Sequence, residues 1–69
     1  MPIISIRLAK GRTIETKRQL VAKVTQAVAD SLELPAELVS IQIEEFEREN
    51  WATGGELHSD KFGTGFGKP

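Results

Sequence analysis

Pro2-Ile3-Ile4-Ser5-Ile6-Arg7-Leu8, answered further along by Val39-Ser40-Ile41-Gln42-Ile43-Glu44-Glu45-Phe46, decides the fold. In the first stretch Ile4, Ile6 and Leu8 alternate with Ser5 and Arg7; in the second Val39, Ile41 and Ile43 alternate with Ser40, Gln42 and Glu44. A period of two in β-branched residues is the pattern of a strand with one buried face. Ile3 blurs the alternation and predicts partial burial on both faces. Lys10-Gly11 breaks the first strand. Thr13 is a candidate N-cap, with Glu15 in the first turn to suit the helix dipole. Leu20, Val21, Val24, Ala27, Val28 and Leu32 then recur at helical spacing and predict one apolar face, packed on the sheet. Lys17, Lys23, Gln26 and Asp30 are assigned largely to other faces. Pro35 cannot extend a helix interior, so the helix ends before it, and Pro35 to Leu38 is expected as a short helical turn. Strand, helix, strand is a β-α-β unit, with parallel strands and a right-handed crossover.

Beyond Phe46 the chain turns polar. Trp51, the only tryptophan, sits in that stretch, and Gly54-Gly55 marks a tight turn, expected as a short C-terminal hairpin. From Asp60 the sequence becomes a glycine-rich tail, with residues 61–69 holding Gly63, Gly65 and Gly67 between Phe62 and Phe66. Such tails are usually mobile, and the phenylalanines suggest docking on a neighbouring subunit. The whole chain, 1–69, reads as one α+β domain.

A chain of 69 residues buries only about 60% of its unfolded surface. It has no cysteine and one histidine, His58, so disulfides and thiolate or histidine metal clusters are excluded. Oligomerisation remains as the stabilising device. A two-stranded sheet with one helix also leaves strand edges bare, which invites pairing with another chain. Nine basic against ten acidic residues give a net charge of -1, unlike the concentrated basic excess of nucleic-acid binders. No apolar run has the length of a membrane span, and no signal-peptide pattern is visible, so a cytoplasmic protein is expected.

Pro2 follows Met1 directly. Proline is small enough for the methionine to be trimmed, which would leave Pro2 as a free secondary amine fixed at the head of a strand. The plainer alternative is that Pro2 only starts an edge strand, where its missing N–H costs nothing.

Met1-Pro2 before a strand, Gly11-Arg12-Thr13 opening the helix, Pro35 between helix and second strand, and Trp51 three residues before Gly54-Gly55-Glu56-Leu57 form a pattern. In order, spacing and length it resembles the 4-oxalocrotonate tautomerase family, in the tautomerase superfamily of amino-terminal proline enzymes. The likeness runs from Pro2 to about His58. It implies a β-α-β subunit that dimerises into a four-stranded sheet and assembles further, here as a homohexamer of three such dimers. It also implies Pro2 as the catalytic base, a small enol or dienol acid as substrate, and neither cofactor nor metal.

The residues fit that chemistry in part. Isomerising an enol acid to its keto form needs one group that takes a proton at one position and returns it at another. A pocket of low polarity and a nearby cation both disfavour a protonated amine. Trp51 is the candidate apolar wall, with a loop anchor as the alternative. Arg12 is the candidate cation and would also hold a substrate carboxylate bidentately; the alternative is a solvated loop charge. Pro2 and Leu8 lie ~20 Å apart at the usual rise of a strand, and Arg12 lies beyond Leu8. Arg12 is therefore expected to serve the Pro2 of a neighbouring subunit.

Ser40 stands where dicarboxylate tautomerases of the family carry a second arginine. A short neutral hydroxyl cannot clamp a carboxylate from the same distance, which puts the dicarboxylate substrate in doubt; Arg7 and Arg48 are possible substitutes. His58 is read as a surface or interface residue, and the adjacent Glu44 and Glu45 as pointing to opposite faces. The glycines of the tail lack the strand and helix that a phosphate loop needs. The expected activity is thus a cofactor-independent tautomerase, with Pro2 as base and Arg12, Ser40 and Trp51 against the substrate. Two alternatives stay open: hydration or dehalogenation of an unsaturated acid, and a non-catalytic subunit of a tautomerase-like oligomer.

Overall fold

The computed structural model describes residues 1–62. Strand β1 (Ile3–Ala9) and strand β2 (Ser40–Phe46) pair in parallel, from Ile3 opposite Ser40 to Ala9 opposite Phe46. The ladder is closed at one end by the Ser40 N–H donating to the Pro2 carbonyl (3.1 Å) and at the other by the Lys10 N–H donating to the Phe46 carbonyl (2.9 Å). Pro2 has no N–H to offer, yet its carbonyl is tied down.

Helix α1 (Ile14–Leu32) makes the crossover. It is capped as expected by Thr13, whose hydroxyl accepts from the Thr16 N–H. The helix ends at Glu33, in the left-handed region with φ 56, whose N–H donates to the Ala29 carbonyl. A 3-10 turn over Ala36–Leu38 follows Pro35, and the Val39 N–H donates back to the Ala36 carbonyl (3.0 Å). That bond takes Val39 out of the ladder, so β2 begins one residue later than the alternation suggests.

On the sheet, Ile4, Ile6, Ile41 and Ile43 are half-buried while Ser5, Arg7, Gln42 and Glu44 are exposed, which is the expected alternation. The helical stripe needs correction. Leu20, Val21, Val24 and Val28 are half-buried, but Ala27 is exposed, and so is Leu32 at the last helical position. Ala29, at the other border of the stripe, is the one buried residue among those described. Lys17 is not on an outer face. It lies in line with Val21, Val24 and Val28 at helical spacing and reaches across to Glu45 (Nζ to Oε1, 2.8 Å), both side chains about a quarter exposed. Glu45 is thus on the helix side, Glu44 on the opposite face beside Arg7, as the period of two requires. The second oxygen of Glu45 is buried without a hydrogen-bond partner.

After β2 a 3-10 turn (Arg48–Asn50) leads into a hairpin of two-residue strands, β3 (Ala52–Thr53) and β4 (Glu56–Leu57). Gly54 and Gly55 both have positive φ (64 and 81), the pattern of the tight turn that matches strand twist. Helix α2 (His58–Phe62) follows at once. Asp60, Lys61 and Phe62 are therefore helical where a glycine-rich tail was expected, and Phe62 packs edge-on against His58 (centroids 5.3 Å apart). The expectation for Gly63 to Pro69 lies outside the described residues. Among the described residues no helix is long and apolar enough to cross a membrane.

Candidate active site at the C-terminal end of the parallel pair

The parallel ladder has two chemically different ends. Pro2 and Ser40 meet at one, through the backbone bond that closes the ladder. Arg12 follows the other end of β1, and there the chain folds a hollow around it. This cavity, about 670 Å³, is lined by Arg7, Leu8 and Ala9 from β1, Arg12, Arg48 and Trp51 from the loops, and His58, Lys61 and Phe62 from α2. The structure thus unites Pro2 with Ser40, and Arg12 with Trp51. It separates the two pairs by the length of the ladder, ~20 Å at the usual rise per residue.

Trp51 is placed by local bonds. Its N–H donates to the Arg48 carbonyl (3.4 Å), closing the 3-10 turn, and its carbonyl accepts from the His58 N–H (2.7 Å), closing the base of the hairpin. Its ring packs edge-on to Phe46 (6.4 Å, 68°) and lies flat on His58 (4.8 Å, 13°). A smaller hollow of about 270 Å³, between Arg7, Phe46, Asn50 and Trp51, lies beside the larger one. The indole is therefore a partition between the two hollows, half-buried by aromatic neighbours, and it anchors the loop at the same time.

Among the described residues, four cationic side chains and no acidic one line the main cavity, although the chain as a whole carries -1. Arg7 is paired with Glu44 across the ladder (3.3 Å), both well exposed. Arg7 and Arg48, which the sequence could not place, both join Arg12 at the cavity. Ser40 does not, and neither does Pro2. His58, read as a surface or interface residue, is half-buried against Trp51. A signal for this was present. A two-residue turn at Gly54-Gly55 sets Thr53 opposite Glu56 and Ala52 opposite Leu57; the next pair outward is Trp51 and His58.

The arrangement can bind an anionic group against guanidinium and present a flat aromatic wall to an unsaturated chain. A family model described as tautomerase enzyme matches residues 2–61. The chain belongs to the tautomerase family. It is a tautomerase-type isomerase by that membership and by its relatives. It is 50% identical over 63 residues to a probable tautomerase, K2, of Dickeya dadantii, covering 88% of this chain and 92% of the relative. It is 38% identical over 60 residues to the 2-hydroxymuconate tautomerase of Bacillus subtilis, covering 87% and 97%. Among solved structures, a 4-oxalocrotonate tautomerase isozyme of Methylibium petroleiphilum superposes with a TM-score of 0.84 at 37% identity, covering 87% and 94%. The parallel pair with its crossover helix and C-terminal hairpin is thus the β-α-β fold of 4-oxalocrotonate tautomerases, as the sequence resemblance implied.

Proposed function

We propose that this tautomerase, once Met1 is removed, moves a proton within a small unsaturated 2-hydroxy or 2-oxo acid, with the secondary amine of Pro2 as base and no cofactor. Arg12 holds the substrate carboxylate, and Trp51 walls the reacting chain from water. Removing water at that wall and placing guanidinium nearby both disfavour the protonated amine, which keeps Pro2 able to accept a proton near neutral pH.

The observation that carries this reading is the separation of the two halves. Pro2 and the Arg12 cavity are at opposite ends of one ladder, so no single subunit contains a complete site. A second copy supplies the missing half in a homo-oligomer, with six subunits expected. The isolated chain supports this independently. Among the described residues Ala29 alone is buried, while Ile3, Ile14 and Leu32 are each more than half exposed. So little burial cannot offset the conformational entropy of an ordered chain, and a partner surface must supply the rest.

Ser40 shapes the substrate range. It lies beside Pro2 and offers a neutral hydroxyl, so a mono-acid enol such as phenylenolpyruvate should compete well with 2-hydroxymuconate, the substrate that the Bacillus relative's name gives. Arg48 and Arg7 sit at the Arg12 end and would reach a second carboxylate only from there.

Mixing tests the reading. A Pro2-directed alkylating reagent should inactivate one site per subunit. Oligomers reassembled from alkylated chains and Arg12→Ala chains should regain part of the activity, because some sites then pair an intact Pro2 with an intact Arg12. If subunits exchange and activity stays absent, the shared site is wrong.

A further inference from the structure

We propose that His58 is a positioning residue of this site: stacked on Trp51, it holds the indole as a fixed wall of the arginine-lined cavity. The proposal rests on the reading of that cavity as the substrate site.

Trp51 needs such support. It leaves a three-residue 3-10 turn and enters a hairpin whose strands have two residues each. Elements so short do not hold a large ring by backbone bonds alone. His58 fixes the ring from one face. The imidazole lies nearly parallel to the indole, 13° apart in plane and 4.8 Å between centroids. Three further contacts hold His58 itself, one through its backbone and two through its ring. Its backbone N–H donates to the Trp51 carbonyl at 2.7 Å. Its Nε2 is hydrogen-bonded to Thr53 Oγ1 at 2.8 Å. Phe62 meets it edge-on at 5.3 Å. Wall and support are thus joined twice, through backbone and through rings, and both face the cavity that holds Arg12 and Arg48. A ring held this way is ordered before substrate arrives, so less freedom is lost on binding.

Three substitutions separate the parts. His58→Phe keeps the stack and loses the bond to Thr53. His58→Gln keeps a polar group for Thr53 and loses the stack. Thr53→Val removes the hydroxyl alone. Trp51 is the only tryptophan, so its fluorescence reports the stack directly, without substrate. His58→Gln is expected to shift Trp51 emission to the red and to raise KM for an acidic enol about two- to tenfold, the range of an aromatic pair, with kcat within about twofold. His58→Phe should restore both emission and KM, and Thr53→Val should cause a smaller rise in KM than His58→Gln. A His58→Phe protein as impaired as His58→Gln would overturn the proposal, since stacking would not be what matters. So would a red shift in His58→Gln with KM unchanged, or an unshifted emission. Arg12→Ala run alongside keeps the two readings apart. If it leaves turnover intact, the cavity is not the substrate site, whatever the His58 variants do. If it lowers turnover while His58→Gln matches the wild type, only the role of His58 falls.

Discussion

The β-α-β frame and the hairpin with α2 are built on different principles. The frame, residues 3–46, joins strands that are 37 residues apart, as Lys10 and Glu47 are at its closing clip, by seven registered pairs and one helical stripe. The hairpin and α2, residues 52–62, use two two-residue strands, one turn and a run of stacked rings. The frame presents groups at its two ends and gives the pocket only its floor, from Arg7, Leu8 and Ala9. The hairpin region shapes the pocket without a core of its own. Damage should therefore read out differently in each: as stability in the frame, as substrate affinity in the hairpin.

The largest effect tests the frame as a presenter. Blocking the Pro2 nitrogen, by retained Met1 or by alkylation, should cut turnover about 10²- to 10⁴-fold, the range of a lost general base. The circular dichroism spectrum and oligomer size should stay as they were. A blocked protein with full turnover would end the proline mechanism.

Next in size is Lys17→Met. It leaves the half-buried Glu45 carboxylate without its cation and adds to an oxygen that already lacks a partner. The cost should be about 1–3 kcal/mol in denaturant unfolding, with KM unchanged. A change in KM instead would show that frame and site are coupled. Gly54→Ala makes the opposite test. The left-handed φ of 64 penalises a Cβ by about 1–2 kcal/mol, although nothing lies within 4 Å of the added atom. The strain falls on the hairpin, so KM and Trp51 emission should move together with the unfolding midpoint, whereas Lys17→Met should move the midpoint alone. Glu33→Gly should relieve the strained helix end and raise stability by about 0.5–1 kcal/mol, with turnover unchanged.

The smallest effect concerns Lys10. Its hydrogen bond to Glu47 (2.9 Å), and secondarily the charge of Glu47, raise its pKa above the ordinary 10.5. A raised folded pKa means that the pair's contribution is complete below the unfolded value and lost as pH rises through the folded one. The pair is exposed, so Lys10→Met should match the wild type near neutral pH. Any difference in melting temperature between them should shrink further only in strongly alkaline buffer.

The same division explains what the sequence made legible. Period-two alternation and a helical stripe are repeated signals, and they placed the ends of β1 and β2 to within a residue and α1 between Thr13 and Pro35. The separation of Arg12 from Pro2 follows from those ends and could be read from the strand rise alone, whereas Ser40 entered through the family resemblance and its place beside Pro2 came only with the ladder register. Lys17 was misplaced because charge was read as exposure; its long stem crosses an apolar face, and only the position of Glu45 shows why it does so. Ala27 and Ala29 traded places because a methyl at the border of a stripe carries little signal. His58, Lys61 and Phe62 were missed for a different reason. Five residues of helix have no period to detect, and glycines close behind them suggested a tail. Only the register of a two-residue turn could have set His58 against Trp51.

The distance along the chain between partners also bears on how the protein folds. Closing the loop for a pair 37 residues apart costs about 2 kcal/mol more than for Ala52 and Leu57, if chain entropy alone is counted. Parallel pairing is slow for that reason, while a hairpin closes within microseconds. The wall of the pocket should thus be able to form and re-form many times before the strand that carries Pro2 finds its neighbour. In a rapid-mixing experiment, the part of the Trp51 signal that comes from His58 would appear ahead of the sheet, the part that comes from Phe46 would arrive with it, and the last thing to mature would be the proline end of the molecule.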